Sequence, residues 1–240
     1  MIPKVIHYCW FSGDKKNRFI SNCIKSWRRV MPDYEIKCWD ANSFDFDSIP
    51  FVKQAWQDKN WAYVSDYIRL YALYTEGGIY LDSDVKTYKR FDDFLQNRFF
   101  VGTEEPFEGS IHVESAIMGA EKNHPYLEKC LRFYNSIDYK DGKGERAEVI
   151  PFVMTRILKE EYNYKAENLD QNLADGIRIY SQKFFGHKFG TRAGDYYAIH
   201  FYNSAWSIKN RGKLYFFCKN NDLMTIYCFL EKINHLCSKK

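Results

Sequence analysis

The stretch Gly77-Gly78-Ile79-Tyr80-Leu81-Asp82-Ser83-Asp84 decides the fold of this chain. Its glycine pair predicts the end of a helix, and the apolar run after it predicts a short buried strand. Two carboxylates, Asp82 and Asp84, follow that strand directly. Carboxylates at the carboxyl end of a central strand lie where α/β sheets usually hold their ligands. The stretch therefore predicts an α/β fold with a site at its two aspartates.

Residues 61–76, just before this stretch, predict a helix because apolar side chains recur at helical offsets. Asp66 and Arg69 lie three positions apart on it and therefore share a face. One interpretation is an exposed ion pair, and the other is that both side chains project into a cleft. Because apolar residues flank both and the helix leads into the Asp82 strand, the cleft is favoured.

The first forty residues predict a βαβ unit. Strands are expected at 5–10 and 34–39, with a helix between them marked by Ile20, Ile24 and Trp27 at helical spacing. A crossover of this length makes the two strands parallel. Further elements are expected as strands at 99–103, 116–120, 177–180 and 196–201, helices at 126–134 and 149–161, and an amphipathic, aromatic-rich segment at 214–237.

The composition narrows the class of protein. The net charge of +4 comes from interspersed charges without a basic block, which argues against a nucleic-acid partner. Seven scattered cysteines without a Cys-x-x-Cys pair predict reduced thiols, as in a cytoplasmic protein. The first residues lack the apolar core of a signal peptide, and no run approaches ~18 apolar residues. We therefore expect a cytoplasmic protein that does not span a membrane.

The spacing of Asp82 and Asp84 suits a metal ion. In an extended backbone, residues two apart point to the same side and can share one divalent cation. Such a cation keeps coordination positions for phosphate oxygens, as Mg²⁺ and Mn²⁺ commonly do at nucleotide sites. The ordinary alternative for an Asp-x-Asp pair is a solvated turn. Here the buried strand ahead of the pair favours a site, since unpaired buried carboxylates are costly.

Three motifs together resemble a known family. They are Ile2-Pro3-Lys4-x-Ile6-His7-x-x-Trp10, Ser65-Asp66-x-x-Arg69 and Gly77-Gly78-Ile79-Tyr80-Leu81-Asp82-x-Asp84. In combination they resemble the bacterial and fungal glycosyltransferases with a DXD-containing sugar-binding region, among them capsular-polysaccharide and mannosyl transferases. The large clostridial glucosylating toxins are similar more distantly. The resemblance covers residues 1–90.

This resemblance implies a GT-A fold, an α/β architecture in which helices flank a Rossmann-like mixed sheet beside a smaller acceptor-side portion. It implies one domain over residues 1–240. Within it, 1–100 would be the nucleotide-sugar-binding half, 101–212 the acceptor half and 213–240 a C-terminal helical segment. That last segment either covers the core or docks on the inner face of a membrane.

The resemblance also implies roles for individual residues. Asp82 would contact the donor ribose and sugar, Asp84 the metal, and Asp66 with Arg69 the transferred sugar. These four are the catalytic candidates. The implied donor-binding residues are Tyr8, Cys9, Trp10, Asp66, Arg69, Asp82, Ser83, Ser204 and Trp206. Among them, Tyr8, Cys9 and Trp10 would contact the nucleobase.

Two later positions complete the predicted site. The segment from His200 to Trp206 resembles the late His and Ser-x-Trp element of the family, so His200 is expected to join Asp82 and Asp84 on the metal. Its alternative is a histidine that merely ends a core strand. Glu114 precedes an apolar run and is the acceptor-side candidate, with a solvated glutamate as the ordinary alternative.

The predicted function follows from these residues and the resemblance. It is a metal-dependent glycosyltransferase, using Mn²⁺ or Mg²⁺, that moves a hexose from a nucleotide-diphosphate sugar to a glycan or lipid-linked acceptor. A UDP-sugar donor is favoured, and retention of configuration in surface polysaccharide synthesis is implied. The alternatives are a metal-dependent phosphohydrolase and a non-catalytic sugar-binding protein on the same fold.

Overall fold

The computed structural model of the chain describes residues 1–106, 109–140, 145, 147–187, 195–202, 212–221, 223–224 and 226–227. Within them the predicted N-terminal βαβ unit is confirmed as β1 (Val5–Cys9), α1 (Arg18–Val30) and β2 (Glu35–Trp39). The two strands are parallel along their whole length. The helix begins after Asn17, whose side chain accepts a hydrogen bond from the backbone N–H of Ile20 at 2.9 Å.

The elements around the deciding stretch also follow the prediction. A short helix α2 (Pro50–Gln57) comes first and was not predicted. It is followed by α3 (Trp61–Glu76), β3 (Gly78–Leu81) and β4 (Val85–Thr87). The helix α3 has the predicted bounds and ends at the glycine pair.

The second half adds the remaining elements. They are β5 (Phe99–Thr103), β6 (Val113–Ala120), α4 (Pro125–Asn135), α5 (Ile150–Tyr162), β7 (Gln171–Asn172), β8 (Ile177–Tyr180), β9 (Phe185–His187), β10 (Ala198–His200) and α6 (Lys213–Asn220). The short strands β7 and β9 were not predicted. Within the described part of the chain, no helix is both long and apolar enough to cross a bilayer.

Seven strands form a mixed sheet in the order β2-β1-β3-β6-β5-β8-β7. The strand β3 lies parallel to β1 on one side and antiparallel to β6 on the other. A second sheet pairs β4 with β10 and β10 with β9. Two hydrophobic clusters fill the faces of the large sheet, one beneath α2–α5 and one beneath α1. The carboxyl end of β3 therefore lies at the centre of the molecule, beside the second sheet.

Steric constraints explain why glycine stands at both positions 77 and 78. Gly77 and Gly78 have φ angles of 71° and 109°, which side-chain-bearing residues rarely adopt. A Cβ on Gly78 would lie 2.7 Å from the carbonyl oxygen of Val5 and 3.0 Å from Nε2 of His7. Trp39 donates its ring N–H to Nδ1 of His7 at 3.1 Å, so the protonated Nε2 donates to the Gly77 carbonyl at 2.8 Å. His7 thus joins three elements and has a structural role.

Candidate active site

Asp82 and Asp84 lie in a tight turn between β3 and β4. The backbone N–H of Val85 donates to the carbonyl oxygen of Asp82 at 2.9 Å, which closes the turn. The extended conformation expected for this pair is therefore wrong. The two carboxylates still face one point, because the turn curls the chain around it.

Strand pairing brings His200 to the same point. In the antiparallel register of β4 and β10, His200 lies opposite Val85, the residue after Asp84. One ligand atom each of Asp82, Asp84 and His200 lies within 4.8 Å of the others. His200 thus ends strand β10, as the alternative interpretation of this residue expected. Its ring also reaches the two aspartates.

The ring of His200 is held between two carboxylates. Its Nδ1 lies 3.1 Å from Glu114 Oε1 and its Nε2 lies 3.5 Å from Asp84 Oδ1. Burial by itself lowers the pKa of His200, but the charges of Asp84 and Glu114 outweigh it and raise that pKa well above its usual value. A cation bound at Nε2 would take the place of the proton there, because a ligating imidazole is neutral.

Glu114 is fully buried. The alternative interpretation, a glutamate exposed to solvent, is therefore wrong. Its Oε1 also accepts a hydrogen bond from the backbone N–H of Ala116 at 3.1 Å. A carboxylate behind a ligating histidine fixes the orientation of its ring and makes the other nitrogen a better ligand. Glu114 occupies that position relative to His200.

Arg69 holds the other side of the turn. The guanidinium is buried, and all three of its nitrogens donate to protein oxygens. They bond the carbonyl oxygens of Ser65 and Ser115 at 3.1 and 2.9 Å and the hydroxyl of Ser65 at 3.0 Å. Nη1 and Nη2 also lie 3.3 Å from the two oxygens of Asp82. Arg69 therefore fixes the orientation of the Asp82 carboxylate.

Tyr80 supports the same carboxylate. Its hydroxyl donates to Asp82 Oδ1 at 2.9 Å, and its ring lies 4.8 Å from the Arg69 guanidinium. The Asp82 side chain nevertheless keeps 26% of its surface exposed. It can therefore accept a further partner from the cavity.

Asp66 lies behind Arg69. Its Oδ1 is 3.4 Å from Nη2 of Arg69, and its Oδ2 accepts a hydrogen bond from the first helical N–H of α5, at Ile150, at 3.3 Å. Both partners of this ion pair are buried, so the exposed-pair interpretation is wrong. Burial raises the pKa of Asp66 to about 7, because the loss of hydration outweighs the attraction of Arg69 and the Ile150 bond.

These residues open into one cavity of about 580 Å³, within the ordinary range of small-molecule sites. The predicted residues that line it are Asp66, Arg69, Asp82, Asp84, Glu114 and His200. Tyr8, Cys9, Trp10 and Ser83 are not among its lining residues. Ser204 and Trp206 lie outside the described residues.

The predicted nucleobase residues end β1 beside the cavity. The ring N–H of Trp10 donates to the carbonyl oxygen of Asp14 at 2.8 Å. Lys16 lies 4.8 Å from the Trp10 ring and 5.6 Å from the Tyr8 ring. Burial raises the pKa of the Cys9 thiol, so it stays neutral. Contact of these residues with a nucleobase stays a prediction.

The donor atoms at the turn fit a divalent cation. Two carboxylates and one imidazole offer oxygen and nitrogen ligands with positions left open, a set that suits Mn²⁺ and related ions. Neighbouring side chains hold Asp82 and His200 in a fixed orientation, and such supporting contacts are usual in metal sites. A divalent metal is thus chemically compatible with this site.

Several residues at the site were not predicted. They include the hydroxyl of Tyr80, the oxygens of Ser65, and the cavity residues His112 and Phe152. Tyr80 and Ser65 adjoin predicted residues in the sequence, and that adjacency was the only available signal. Nothing in the local sequence distinguishes His112 or Phe152.

Comparison with known proteins identifies a family that the chain resembles. Residues 18–100 match the family described as glycosyltransferase sugar-binding region containing DXD motif. Inositol phosphoceramide mannosyltransferase 3 of Schizosaccharomyces pombe is 30% identical over 135 residues, which are 55% of this chain and 36% of that protein. Inositol phosphoceramide mannosyltransferase 2 of the same yeast is 28% identical over 145 residues, covering 55% of this chain and 38% of that protein. The chain thus spans little more than a third of the length of these relatives.

Among solved structures, the apo-form glycosyltransferase GlyE of Streptococcus pneumoniae superposes with a TM-score of 0.50. The two sequences are 13% identical, and the match covers 100% of this chain and 64% of that one. This likeness concerns the fold, and the predicted GT-A architecture is confirmed. The resemblance seen in the motifs is confirmed as well, because residues 18–100 match the model of the glycosyltransferase sugar-binding region containing a DXD motif.

Proposed function

We propose that the chain is a metal-dependent glycosyltransferase that uses a nucleotide-diphosphate sugar. The observation that carries the proposal is the convergence of Asp82, Asp84 and His200 within 4.8 Å at the wall of a 580 Å³ cavity. When bound there, a divalent cation would neutralise charge growing on the departing diphosphate. The named relatives, two mannosyltransferases, support transfer of a hexose.

The chain's own residues would preorganise this site. Arg69 and Tyr80 hold the Asp82 carboxylate, and Glu114 holds the His200 ring. These contacts lie within the protein, so they are made before any donor arrives, and the site does not have to reorganise during the reaction. We propose that Asp82, Asp84 and His200 hold the metal and that Asp66 and Arg69 flank the transferred sugar.

The finer assignments are part of the same proposal and rest on the motif resemblance. They are a UDP-sugar as the favoured donor, Mn²⁺ or Mg²⁺ as the metal, and retention of configuration. They also include nucleobase contact by residues 8–10, donor contact by Ser83 and diphosphate contact by Ser204 and Trp206. The last is a donor side at 1–100 beside an acceptor side at 101–212. The acceptor would be a glycan or a lipid-linked saccharide in surface polysaccharide synthesis.

A membrane-facing surface belongs to this proposal too. In α6, Leu214 and Phe217 are 59% and 60% exposed, although both side chains are large and apolar. Exposed apolar side chains on a helix suit contact with the headgroup region of a bilayer, where a lipid-linked acceptor would lie. This supports peripheral docking on the inner face of the membrane.

A donor-hydrolysis screen tests the proposed function. The purified chain is mixed with UDP- and GDP-sugars with and without Mn²⁺, and nucleoside diphosphate release is followed. We expect metal-dependent release from one donor and a loss of at least about 100-fold in Asp84→Asn, because that variant removes a charged ligand. Release of free phosphate without any effect of acceptor would instead identify a phosphohydrolase. Absence of both donor binding and release would leave the non-catalytic sugar-binding protein.

A further inference from the structure

The cavity has a second wall, distinct from the metal-binding turn. It is built by Glu104, Glu105, Pro106 and His112, which lie between β5 and β6, and by the start of α5. The N–H of Glu104 donates to the carbonyl oxygen of His112 at 2.8 Å, which closes the base of the connection between the strands. The N–H of Val113 donates to Thr155 Oγ1 of α5 at 3.0 Å. These bonds fix the position of His112 relative to α5.

His112 is buried in this wall with a ring nitrogen that has no hydrogen-bond partner among the described residues. Its side chain is more than nine-tenths buried and lines the cavity. In the part of the chain that the structure describes, Nδ1 of His112 is completely covered and has no hydrogen-bond partner. Nε2 is not among the fully covered atoms, so it is the ring nitrogen that a ligand in the cavity can reach. A ligand that gives Nε2 a hydrogen bond is favoured there, because a buried polar atom without a partner costs free energy.

The chemical state of His112 defines what it can bind. Burial first, and the charge of Lys159 second, lower the pKa of its imidazole. The ring is therefore neutral at physiological pH, and Nε2 is an N–H donor in one tautomer and an acceptor in the other. A hydroxyl group, which both donates and accepts, can bond Nε2 in either tautomer, whereas an anionic phosphate gains no ion pair from it.

An aromatic ring lies beside the imidazole. The ring centroids of Phe152 and His112 are 4.3 Å apart, and Phe152, which is half-buried, also lines the cavity. An apolar ring next to a hydroxyl-binding group suits a sugar, because a pyranose combines an apolar C–H face with hydroxyls at its edge. The neighbouring Val149, Ile150 and Pro151 continue the apolar surface.

We propose that His112 and Phe152 form the acceptor subsite, in which the imidazole hydrogen-bonds a hydroxyl of a hexose and the phenyl ring packs against its C–H face. The inference rests on the proposed function and specifies its acceptor as a sugar. The donor side is assigned to the opposite wall, because Asp82, Asp84 and His200 converge there. Asp66 connects the two, since it pairs with Arg69 and accepts from the first N–H of α5.

The test compares transfer with hydrolysis in the full chain. Nucleoside diphosphate release from the active donor is measured without acceptor and with increasing methyl glycosides of glucose, galactose, mannose and N-acetylglucosamine. We expect at least one glycoside to raise release and to appear in a glycosylated product. His112→Phe keeps a ring but removes both nitrogens, and we expect the ratio of transfer to hydrolysis to fall roughly fivefold to tenfold through a higher acceptor KM.

Two further variants make the result specific. His112→Gln keeps a donor and an acceptor and should recover part of the ratio, whereas Phe152→Leu should lower it as His112→Phe does. His124→Asn is the matched control, since His124 is also a buried histidine beside a phenylalanine, Phe99, but does not line the cavity. Its ratio should equal that of the unaltered chain, and thermal unfolding confirms that each variant is folded.

The outcomes separate the two proposals. Absence of both donor binding and nucleoside diphosphate release, with and without glycosides, would refute the proposed glycosyltransferase activity and, with it, this inference. Donor hydrolysis that no glycoside increases would refute the hexose subsite alone. The same holds if His112→Phe lowers hydrolysis and transfer by equal factors, because His112 would then serve the fold or the donor side.

Discussion

Replacing Glu114 by glutamine tests whether the buried carboxylate behind His200 tunes the metal site. Glu114 Oε1 lies 3.1 Å from Nδ1 of His200 and 3.1 Å from the N–H of Ala116. Glutamine has nearly the same shape, so its side-chain oxygen can still accept both hydrogen bonds. What the variant removes is the negative charge that makes the imidazole a stronger ligand.

The expected magnitude follows from burial. The side chain of Glu114 is 1% exposed, so water does not screen its effect on His200. Loss of such a supporting carboxylate typically weakens metal binding roughly 10- to 100-fold, which corresponds to about 1.4–2.7 kcal/mol. Because glutamine preserves the orientation of the ring, we expect a value near the lower end.

The assay is calorimetric titration of the folded protein with Mn²⁺, with the Mn²⁺ dependence of donor hydrolysis as a second readout. The control is Glu105→Gln, which removes the same charge from an exposed position that lines the same cavity. We expect the control to weaken Mn²⁺ binding less than about twofold, as charges in water are screened. Equal weakening by both variants, or none by Glu114→Gln, would refute a specific role for the Glu114–His200 contact.

Three further predictions concern stability and surface binding. Burial raises the pKa of Asp66 from 3.8 to about 7. Between about pH 4 and about pH 7 the native state therefore holds a proton that the unfolded state releases. The free energy of unfolding should fall as pH rises through this range. Asp66→Asn should remove up to about 4 kcal/mol of that fall in urea titrations across this range, and an unchanged slope would show that Asp66 is ionised in the native state. Gly78→Ala should cost at least about 2 kcal/mol of unfolding free energy, since its φ is 109° and its Cβ would meet the Val5 carbonyl at 2.7 Å; a loss under about 0.5 kcal/mol would contradict the predicted steric conflict. Leu214→Ser with Phe217→Ser should lower flotation with anionic liposomes roughly tenfold, because both side chains are exposed on α6; equal flotation of the unaltered and altered chains would argue against membrane docking through this helix.

The local sequence was sufficient to predict the helix and the strand that lead into the site. The glycine pair, the apolar run of β3 and the periodicity of α3 act over a few residues, so their structural consequences can be read directly. Helix α2 was missed because it is short and begins after Ile49 without a side-chain cap.

Spacing alone, however, did not single out the candidate metal-site pair, Asp82 and Asp84. Asp45-Phe46-Asp47 repeats the pattern of two aspartates around one residue. In the structure Asp45 accepts a hydrogen bond from the N–H of Asp47 at 3.2 Å, and Asp47 pairs with Lys53 at 3.1 Å on the surface. The buried strand before Asp82 is what separates the two pairs, and that feature was visible in the sequence.

Only the tertiary structure decided how the site is completed. His200 and Glu114 are 86 residues apart in the chain, yet they are in hydrogen-bonding contact because β10 pairs with β4 beside the end of β6. His112 and Phe152 likewise meet only through the packing of α5 against β6. The sequence by itself determined the local elements and the aspartate pair, since short-range periodicity and glycine sterics specify them. Strand pairing between distant segments determined the position of His200, the third residue of the candidate metal site, together with its buried partner and the second wall of the cavity.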